Sequence, residues 1–333
     1  MRVPADIARH VLNSRSLGFK CLPDGTVTDG FQSGWGGTAY PPPGYLPWNV
    51  LEVGNGDTYG YYWPIGKEND PPIVCTIMHD AWALVPLNSS LGGFIRIHLR
   101  LGSPIPSELR VLAKDFDISL DDMPVSEAEE DDDATLESDI PVQELLRYDP
   151  MSPQQRLAAA TEAIAGRQLD EAEKHLRVTL DLFPEYSEAL RMLSQLYRQM
   201  QDQQRAADAM MQALTSPICF GATDRKKLLN WLQRMGNDVY SGPDPLWHRR
   251  SQLTFAEGVY ANDDYRVFEE LIAEYHRMGM GVRAVRLRVL AGELMGRETV
   301  SFQERANWTG TKFRTQLEAD LERAELHGRL VAV

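Results

Sequence analysis

The residue types that perform enzyme chemistry occur in this chain, but their spacing does not bring them together. His79-Asp80 is the only adjacent His-Asp pair, and it lies at a predicted turn between two strands. Neighbouring residues on an extended chain point to opposite faces, so this histidine and aspartate would not orient each other as a general base and its partner. We interpret the pair as a turn or hydrogen-bonding element, and we predict no catalytic residue.

The sequence does not indicate a cofactor or metal site either. Gly54-Asn55-Gly56-Asp57 lacks the Lys-Ser or Lys-Thr of a phosphate-binding loop and precedes a predicted strand, so we interpret it as a hairpin turn. The other histidines lack metal-ligand spacing, and the cysteines form no Cys-x-x-Cys pair. These dispersed residues are His10, His98, His175, His248, His276 and His327, with Cys21, Cys75 and Cys219. We predict a protein without enzyme activity, cofactor or metal.

The composition is that of a globular protein. Hydrophobic residues make up 43% and charged residues 25% of the 333 positions, and the chain is long enough for two domains with separate cores. No apolar run approaches the ~20 residues of a membrane helix, and the first residues lack the apolar core of a signal peptide. We expect a cytoplasmic protein that does not bind membranes.

The net charge of −14 comes almost entirely from one segment. Residues 111–150 contain 14 acidic and only 2 basic residues, with few large apolar residues among them. Such a segment buries too little surface to offset the entropy of ordering it. We therefore predict an acidic linker over 116–150. Two interpretations stay open: a solvated spacer, or a phosphate-like contact to a partner through Glu130, Asp131 and Asp132.

Residues 48–100 predict a small sheet closed by a helix. Runs of β-branched and aromatic residues stand between turn signals, and a segment of helical period follows them. Aromatic residues are favoured both in cores and as interface anchors, and alternation sends Tyr62 to the face opposite Tyr61 and Trp63, so at least one face is predicted to be core. The predicted partner-binding residues of this region are Asp57, Tyr59, Tyr61, Tyr62, Trp63, His79, Asp80 and Trp82.

The order of these features resembles the core of the SUKH superfamily. The elements that carry the resemblance are the Gly54–Asp57 turn before an aromatic strand, a later strand that ends at His79-Asp80, and a helix that opens at Leu87-Asn88-Ser89-Ser90 and runs through Phe94 and Leu99. Bacterial members of that group are commonly immunity proteins that bind and block a polymorphic toxin, and fungal members regulate cell-wall synthesis. The resemblance covers residues 20–110 and implies a SUKH-like α/β domain over 1–115.

After Met151 the pattern is helical and repeats with an offset of 34 residues. Small residues recur where two helices must approach closely, and large residues recur where a helix pair packs on its neighbour. This pattern resembles a tetratricopeptide array over 151–217. Because two such units cannot bury a solenoid core alone, we expect 218–333 to supply further capping helices. The matched residues are Ala160 with Ser194, Ala172 with Ala206, Leu176 with Met210, Thr179 with Ala213 and Leu180 with Leu214, and the further helices are predicted over 225–235, 246–261, 265–278, 282–294 and 312–327.

The later helices carry a short basic stripe, formed by Arg277, Arg283, Arg286 and Arg288. Residues 151–333 contain 24 basic and 25 acidic residues, and no nucleic-acid-binding motif accompanies the stripe. We interpret it as a solvated helix face and expect no direct nucleic-acid binding.

The sequence thus predicts an α+β protein, with a mainly antiparallel sheet of four to six strands and helices, an acidic linker, and an all-α tetratricopeptide-like array. The SUKH resemblance implies an immunity protein that occludes the active site of a cognate protein toxin, chiefly through the sheet domain. The alternative is a non-enzymatic scaffold that binds a peptide or protein client in the groove of the helical array.

Overall fold

The computed structural model describes residues 20–21, 27–28, 42–52, 57–78, 83–101, 113, 118, 140–221, 224–255 and 264–326. Over these residues the fold is α+β, as predicted, with an antiparallel sheet followed by an all-helical region. Among the helices of these ranges, none is both long and apolar enough to cross a membrane.

The main sheet has four antiparallel strands that follow one another in chain order. They are β3 (Tyr45–Glu52), β4 (Thr58–Tyr62), β5 (Ile73–Met78) and β6 (Ala83–Asn88), while β1 (Lys20–Cys21) pairs with β2 (Val27–Thr28) in a separate two-stranded sheet. Along β6, half-buried and buried residues alternate with the period of two that a strand imposes. Three successive residues of β5 (Ile73, Val74 and Cys75) are buried, which requires that both faces of the sheet be covered.

Helix α1 (Leu91–Arg100) covers one face of the sheet. Ser90 caps the helix, since its hydroxyl accepts a hydrogen bond from the N–H of Gly93 at 3.1 Å. The Phe94 ring then meets the Tyr59 ring edge-on, with centroids 5.2 Å apart. The helix was predicted to open at 87–90, but β6 continues through Asn88 and the helix begins at Leu91.

Eleven further α-helices follow in the described part of the chain. They are α2 (Val142–Tyr148), α3 (Pro153–Ala165), α4 (Leu169–Leu182), α5 (Ser187–Gln199), α6 (Gln203–Thr215), α7 (Arg225–Arg234), α8 (Pro245–Arg249), α9 (Asp264–Arg277), α10 (Gly281–Arg297), α11 (Val300–Arg305) and α12 (Gly310–Arg323). Helices α3 and α4 pack as one pair and α5 and α6 as a second pair, which begins 34 residues after the first. That spacing equals the offset found in the sequence.

The turns within the helix pairs share one backbone conformation. Arg167 between α3 and α4, Gln201 between α5 and α6, and Gly279 between α9 and α10 have φ of 59°, 62° and 73°. In each turn the following residue donates its N–H to the carbonyl five residues earlier, as in a Schellman cap. These bonds run from Gln168 to Ala163, from Asp202 to Tyr197 and from Met280 to Tyr275, each at 2.8 Å. Helices α9 and α10 therefore close as the first two pairs do, although their sequences depart from the repeat.

The predicted linker over 116–150 includes a helix near its end. Its last residues form α2, and Asp149 is buried at the end of that helix. The Asp149 carboxylate accepts hydrogen bonds from the N–H of Ser89 at 2.8 Å and from its hydroxyl at 2.5 Å. A buried carboxylate requires such donors. The bonds therefore attach the end of the acidic segment to the end of the sheet.

The helix predicted over 246–261 is shorter in the structure. Helix α8 ends at Arg249, a 3-10 turn spans Arg250–Gln252, and Leu253 is extended. The buried Arg250 guanidinium donates to the carbonyls of Leu232, at 3.1 Å, and Trp247, which holds the chain in this turn. Residues 256–263 lie outside the described part of the chain.

One buried hydrophobic cluster extends from the sheet into the helical region. Tyr62 of β4 lies against Phe183 and Phe220 of the helical region, with ring centroids 5.4 Å and 5.1 Å away. The same buried cluster includes Ile73 and Leu84 of the sheet. The second face of the sheet is therefore buried on helices, which explains why its strands are apolar on both sides.

Candidate partner-binding site

The predicted aromatic anchors do not form an exposed patch. Tyr61 and Trp63 lie on one face, as alternation predicted, with ring centroids 6.1 Å apart, and their relative exposures are 1% and 0%. Tyr62 lies on the other face and is also buried. Helix α1 and the helical region cover the two faces of the sheet. These three side chains are therefore buried, and they do not form the exposed partner contact that the sequence predicted.

Tyr59 and Asp57 keep part of their surface exposed. The Tyr59 ring packs on Phe94 and lies 6.2 Å from the His98 ring, and burial, followed by the charge of Asp57, raises the pKa of its hydroxyl. The Tyr59 side chain thus belongs mainly to the contact between the sheet and α1. The other predicted partner-binding residues, His79, Asp80, Trp82, Glu130, Asp131 and Asp132, lie outside the described residues.

A buried charge links the sheet to the helical region. The Glu185 carboxylate, between α4 and α5, accepts hydrogen bonds from the Tyr62 hydroxyl and from the N–H of Ile65, the latter at 3.0 Å. It also pairs with the Arg286 guanidinium of α10 at 3.1 Å. Arg286 in turn donates to the carbonyl of Ile65 at 3.2 Å. Because these groups are paired with one another within the fold, we assign them to stability rather than to ligand binding.

The solvated-face interpretation of the basic stripe was wrong for three of its four arginines, whereas Arg277 is exposed. Arg283 pairs with Asp244, and Arg288 pairs with Asp320 at 2.6 Å, in addition to the Arg286 pair. All three arginines are largely buried, and a charge removed from water requires a partner of opposite sign. The near neutrality of 151–333 thus reflects, in part, ion pairs inside the helical region.

A basic surface whose cations form no ion pair with the described carboxylates lies on α7. Leu228, Leu229 and Leu232 bury one side of this helix in the core. Lys227 and Arg234 are seven residues apart, which is close to two turns, so both project from one stripe on the other side. A cavity of about 300 Å³ lies against that side. It is lined by Asp224, Lys226, Lys227, Asn230, Trp231 and Arg234.

Arg198 of α5 adds a fourth cation. The guanidinium of Arg198 lies over the ring of Trp231. Burial lowers the pKa of Arg198 from its usual value. We define the α7 basic surface as Arg198, Lys226, Lys227, Trp231 and Arg234. No carboxylate in the described ranges forms an ion pair with any of its four cations, although Asp224 also lines the cavity.

The sequence contained a signal for this surface that the prediction of a capping helix over 225–235 did not use. Cations at Lys227 and Arg234, with Trp231 between them on the same side and leucines on the opposite side, form a pattern of spacing seven on one helix. Such a pattern alone does not show whether carboxylates from other helices neutralise the cations.

A second cavity, of about 540 Å³, lies between Gln233 of α7 and the segment formed by α8 and the 3-10 turn after it. Its polar groups bond within the fold: Gln233 donates to the carbonyl of Arg250 at 2.8 Å, and Arg250 donates to Asn237 Oδ1 at 2.6 Å. This cavity is therefore the weaker candidate. The described residues also contain no group of three His, Cys, Asp or Glu side chains placed to hold a metal ion.

Comparison with known proteins finds similarity at both ends of the chain. Residues 31–102 match the family described as the YfbP N-terminal domain, and residues 257–327 match the YfbP C-terminal domain. The chain is 26% identical over 281 residues to "Uncharacterized protein YfbP" of Escherichia coli (strain K12), and the match covers 83% of this chain and 86% of that protein. In the sequence, the residues of the α7 basic surface lie between the two matched segments. These names state no activity, so the function must be argued from the geometry.

Proposed function

We propose that this protein is a scaffold that holds a protein partner on the α7 basic surface. The observation that supports the proposal is the group of four cations, Arg198, Lys226, Lys227 and Arg234, around one tryptophan, without an ion-pairing carboxylate among the described residues. The proposed role is binding without catalysis, in keeping with the expectation from the sequence. A cytoplasmic location remains part of the proposal.

Electrostatics favours an anionic partner at this surface. The four cations of this surface form no ion pair with a described carboxylate, so an anionic segment that binds there gains electrostatic attraction without displacing an internal partner. Elsewhere in the helical region, the cations of Arg283, Arg286 and Arg288 are paired with carboxylates. The cations of the α7 basic surface therefore differ from these three arginines, whose charges are paired inside the fold.

The proposal follows the scaffold alternative that the sequence left open. The immunity hypothesis stays a prediction, and its expected contact surface is reduced, because Tyr61, Tyr62 and Trp63 are buried.

Site-specific crosslinking in the cells that make the protein tests the proposal. A photo-reactive amino acid replaces Asn230, which lines the cavity, and the control carries it at Lys174 on α4, whose side chain is 66% exposed. We expect one defined protein to crosslink at position 230 and not at 174, and the Lys226→Glu/Lys227→Glu variant to lose it. Equal crosslinking at both positions, or none at 230, would contradict a partner-binding role for this surface.

A further inference from the structure

We infer that the α7 basic surface binds an extended acidic segment of a protein, in which two side-chain carboxylates three residues apart flank an apolar side chain. The inference rests on the proposed function and specifies the chemistry of the partner. It depends on three features of the surface: the distance between its cations, the position of its tryptophan, and the charge of the rest of the chain.

The distance between the cations selects the spacing of the carboxylates. Lys227 and Arg234 are separated by seven helical residues, or about 10 Å along the helix axis. Two carboxylates at a matching separation can pair with both cations at once. A peptide in the extended polyproline II conformation has three residues per turn and rises about 3.1 Å per residue, so side chains at positions i and i+3 lie on the same side, about 9 Å apart. A peptide that lies along α7 with this spacing presents one carboxylate to each cation.

Trp231 favours an apolar peptide side chain between the two carboxylates. Trp231 follows Lys227 by four residues and precedes Arg234 by three, so it lies between the two cations on the same stripe. Its indole is partly buried against the core, and Arg198 lies over its ring. An apolar or aromatic side chain of the peptide gains contact with the part of the indole that remains exposed.

The charge of the chain favours a short acidic segment over nucleic acid. The whole protein carries −14, and residues 111–150 alone contain 14 acidic residues. The α7 basic surface offers only four cations, so a nucleic acid gains few phosphate contacts there, and that attraction weakens at physiological salt. A segment with two carboxylates can pair with Lys227 and Arg234, and it adds only two negative charges to the complex.

Peptides of equal composition test the spacing directly. The probes are fluorescein-labelled, amidated octapeptides, Gly-Ser-Glu-Gly-Phe-Glu-Gly-Ser with spaced glutamates and Gly-Ser-Glu-Glu-Phe-Gly-Gly-Ser with adjacent ones, titrated with the full chain by fluorescence anisotropy. We expect the spaced peptide to bind at least about fivefold more tightly, since only it satisfies both cations. Equal affinity of the two peptides, or tighter binding of a labelled single-stranded oligonucleotide, would overturn the inference.

Charge reversal distinguishes direct contact from an indirect effect on folding. Lys227 and Arg234 are exposed, so the Lys227→Glu/Arg234→Glu variant should retain the wild-type circular dichroism. We expect it to lose at least about tenfold in affinity for the spaced peptide and to gain affinity for the same peptide with lysines in place of glutamates. The control Lys174→Glu reverses a charge on α4 and should change neither affinity.

The two proposals can fail separately. If Asn230 crosslinks a protein partner but neither peptide binds, the partner chemistry inferred here is wrong and the scaffold role stands. If the lysine peptide fails to bind the charge-reversed variant while that variant keeps its fold, the cations do not contact the carboxylates and the inference is also wrong.

Discussion

The buried charge at Glu185 should decide how strongly the sheet is held to the helical region. Glu185 is fully buried and receives hydrogen bonds from Tyr62 and Ile65 on the sheet side, while Arg286 pairs with it from α10. Removing one member of a buried ion pair leaves the other charge without compensation, which costs about 3–5 kcal/mol. We therefore expect Glu185→Gln to lower the free energy of unfolding by about 3 kcal/mol, the lower end, because the amide still accepts hydrogen bonds.

The partner variant and the double variant provide the quantitative test. Arg286→Met should cost a similar amount, because it leaves the Glu185 carboxylate buried with only neutral donors. Replacing both charges, in Glu185→Gln/Arg286→Met, leaves no uncompensated charge in the interior, so the double variant avoids the penalty that each single variant carries. The double variant should therefore be at least about 2 kcal/mol more stable than the sum of the single losses predicts.

Urea denaturation followed by both tryptophan fluorescence and far-ultraviolet circular dichroism measures these free energies. Because sheet and helices share one core, the two signals should change together in the wild type. A loss of less than about 0.5 kcal/mol for Glu185→Gln, or strictly additive single losses, would show that this ion pair does not couple the two regions.

Three further predictions concern Gly93, Gly292 and His98. Gly93→Ala should destabilise the protein by about 1–3 kcal/mol in urea denaturation, because the new Cβ would lie 2.5 Å from the Asp149 carboxylate; an unchanged midpoint would contradict this contact. Gly292→Ala should cost a similar amount, since its Cβ would meet the ring of Phe313, and Gly292→Ala/Phe313→Leu should recover part of the loss, or the clash is not the cause. Burial lowers the pKa of His98 from 6.5 to about 4, so the unfolded chain binds a proton that the folded chain does not, and stability should fall as the pH drops from about 7 to 4. Because His98 remains partly exposed, we expect a loss of about 1–2 kcal/mol relative to His98→Gln, measured at pH 7 and pH 4.5; parallel pH profiles for the two proteins would refute the assignment.

Local signals were sufficient to predict most elements of this fold. The strand signals of residues 48–90, the helix after them and the 34-residue offset between helix pairs all correspond to elements in the structure. These patterns act over a few residues, through alternation, helical period and turn-forming glycines, so a sequence alone reveals them. The helix over 246–261 was predicted too long because the side chain that turns the chain there, Arg250, bonds to carbonyls outside its own turn as well as within it.

The candidate site depended on contacts that sequence patterns do not contain. Tyr62 looked like an interface anchor, but it is buried because Phe183 and Phe220 cover its face of the sheet. Arg286 looked solvated, but it is paired because Glu185 reaches it from more than 100 residues away in the chain. Burial and charge compensation depend on which surfaces meet in three dimensions, and that information is non-local.

The sequence by itself determined the α+β class, the order of strands and helices, and the spacing of the helix pairs, because each of these follows from short-range periodicity. Only the tertiary structure decided which aromatic and basic side chains remain at the surface. Packing of the sheet onto the helices buried Tyr61, Tyr62 and Trp63, and long-range ion pairs neutralised Arg283, Arg286 and Arg288. Lys226, Lys227 and Arg234 of α7 stayed exposed and form no ion pair with a described carboxylate, and this contrast moved the proposed partner contact from the sheet to the helices.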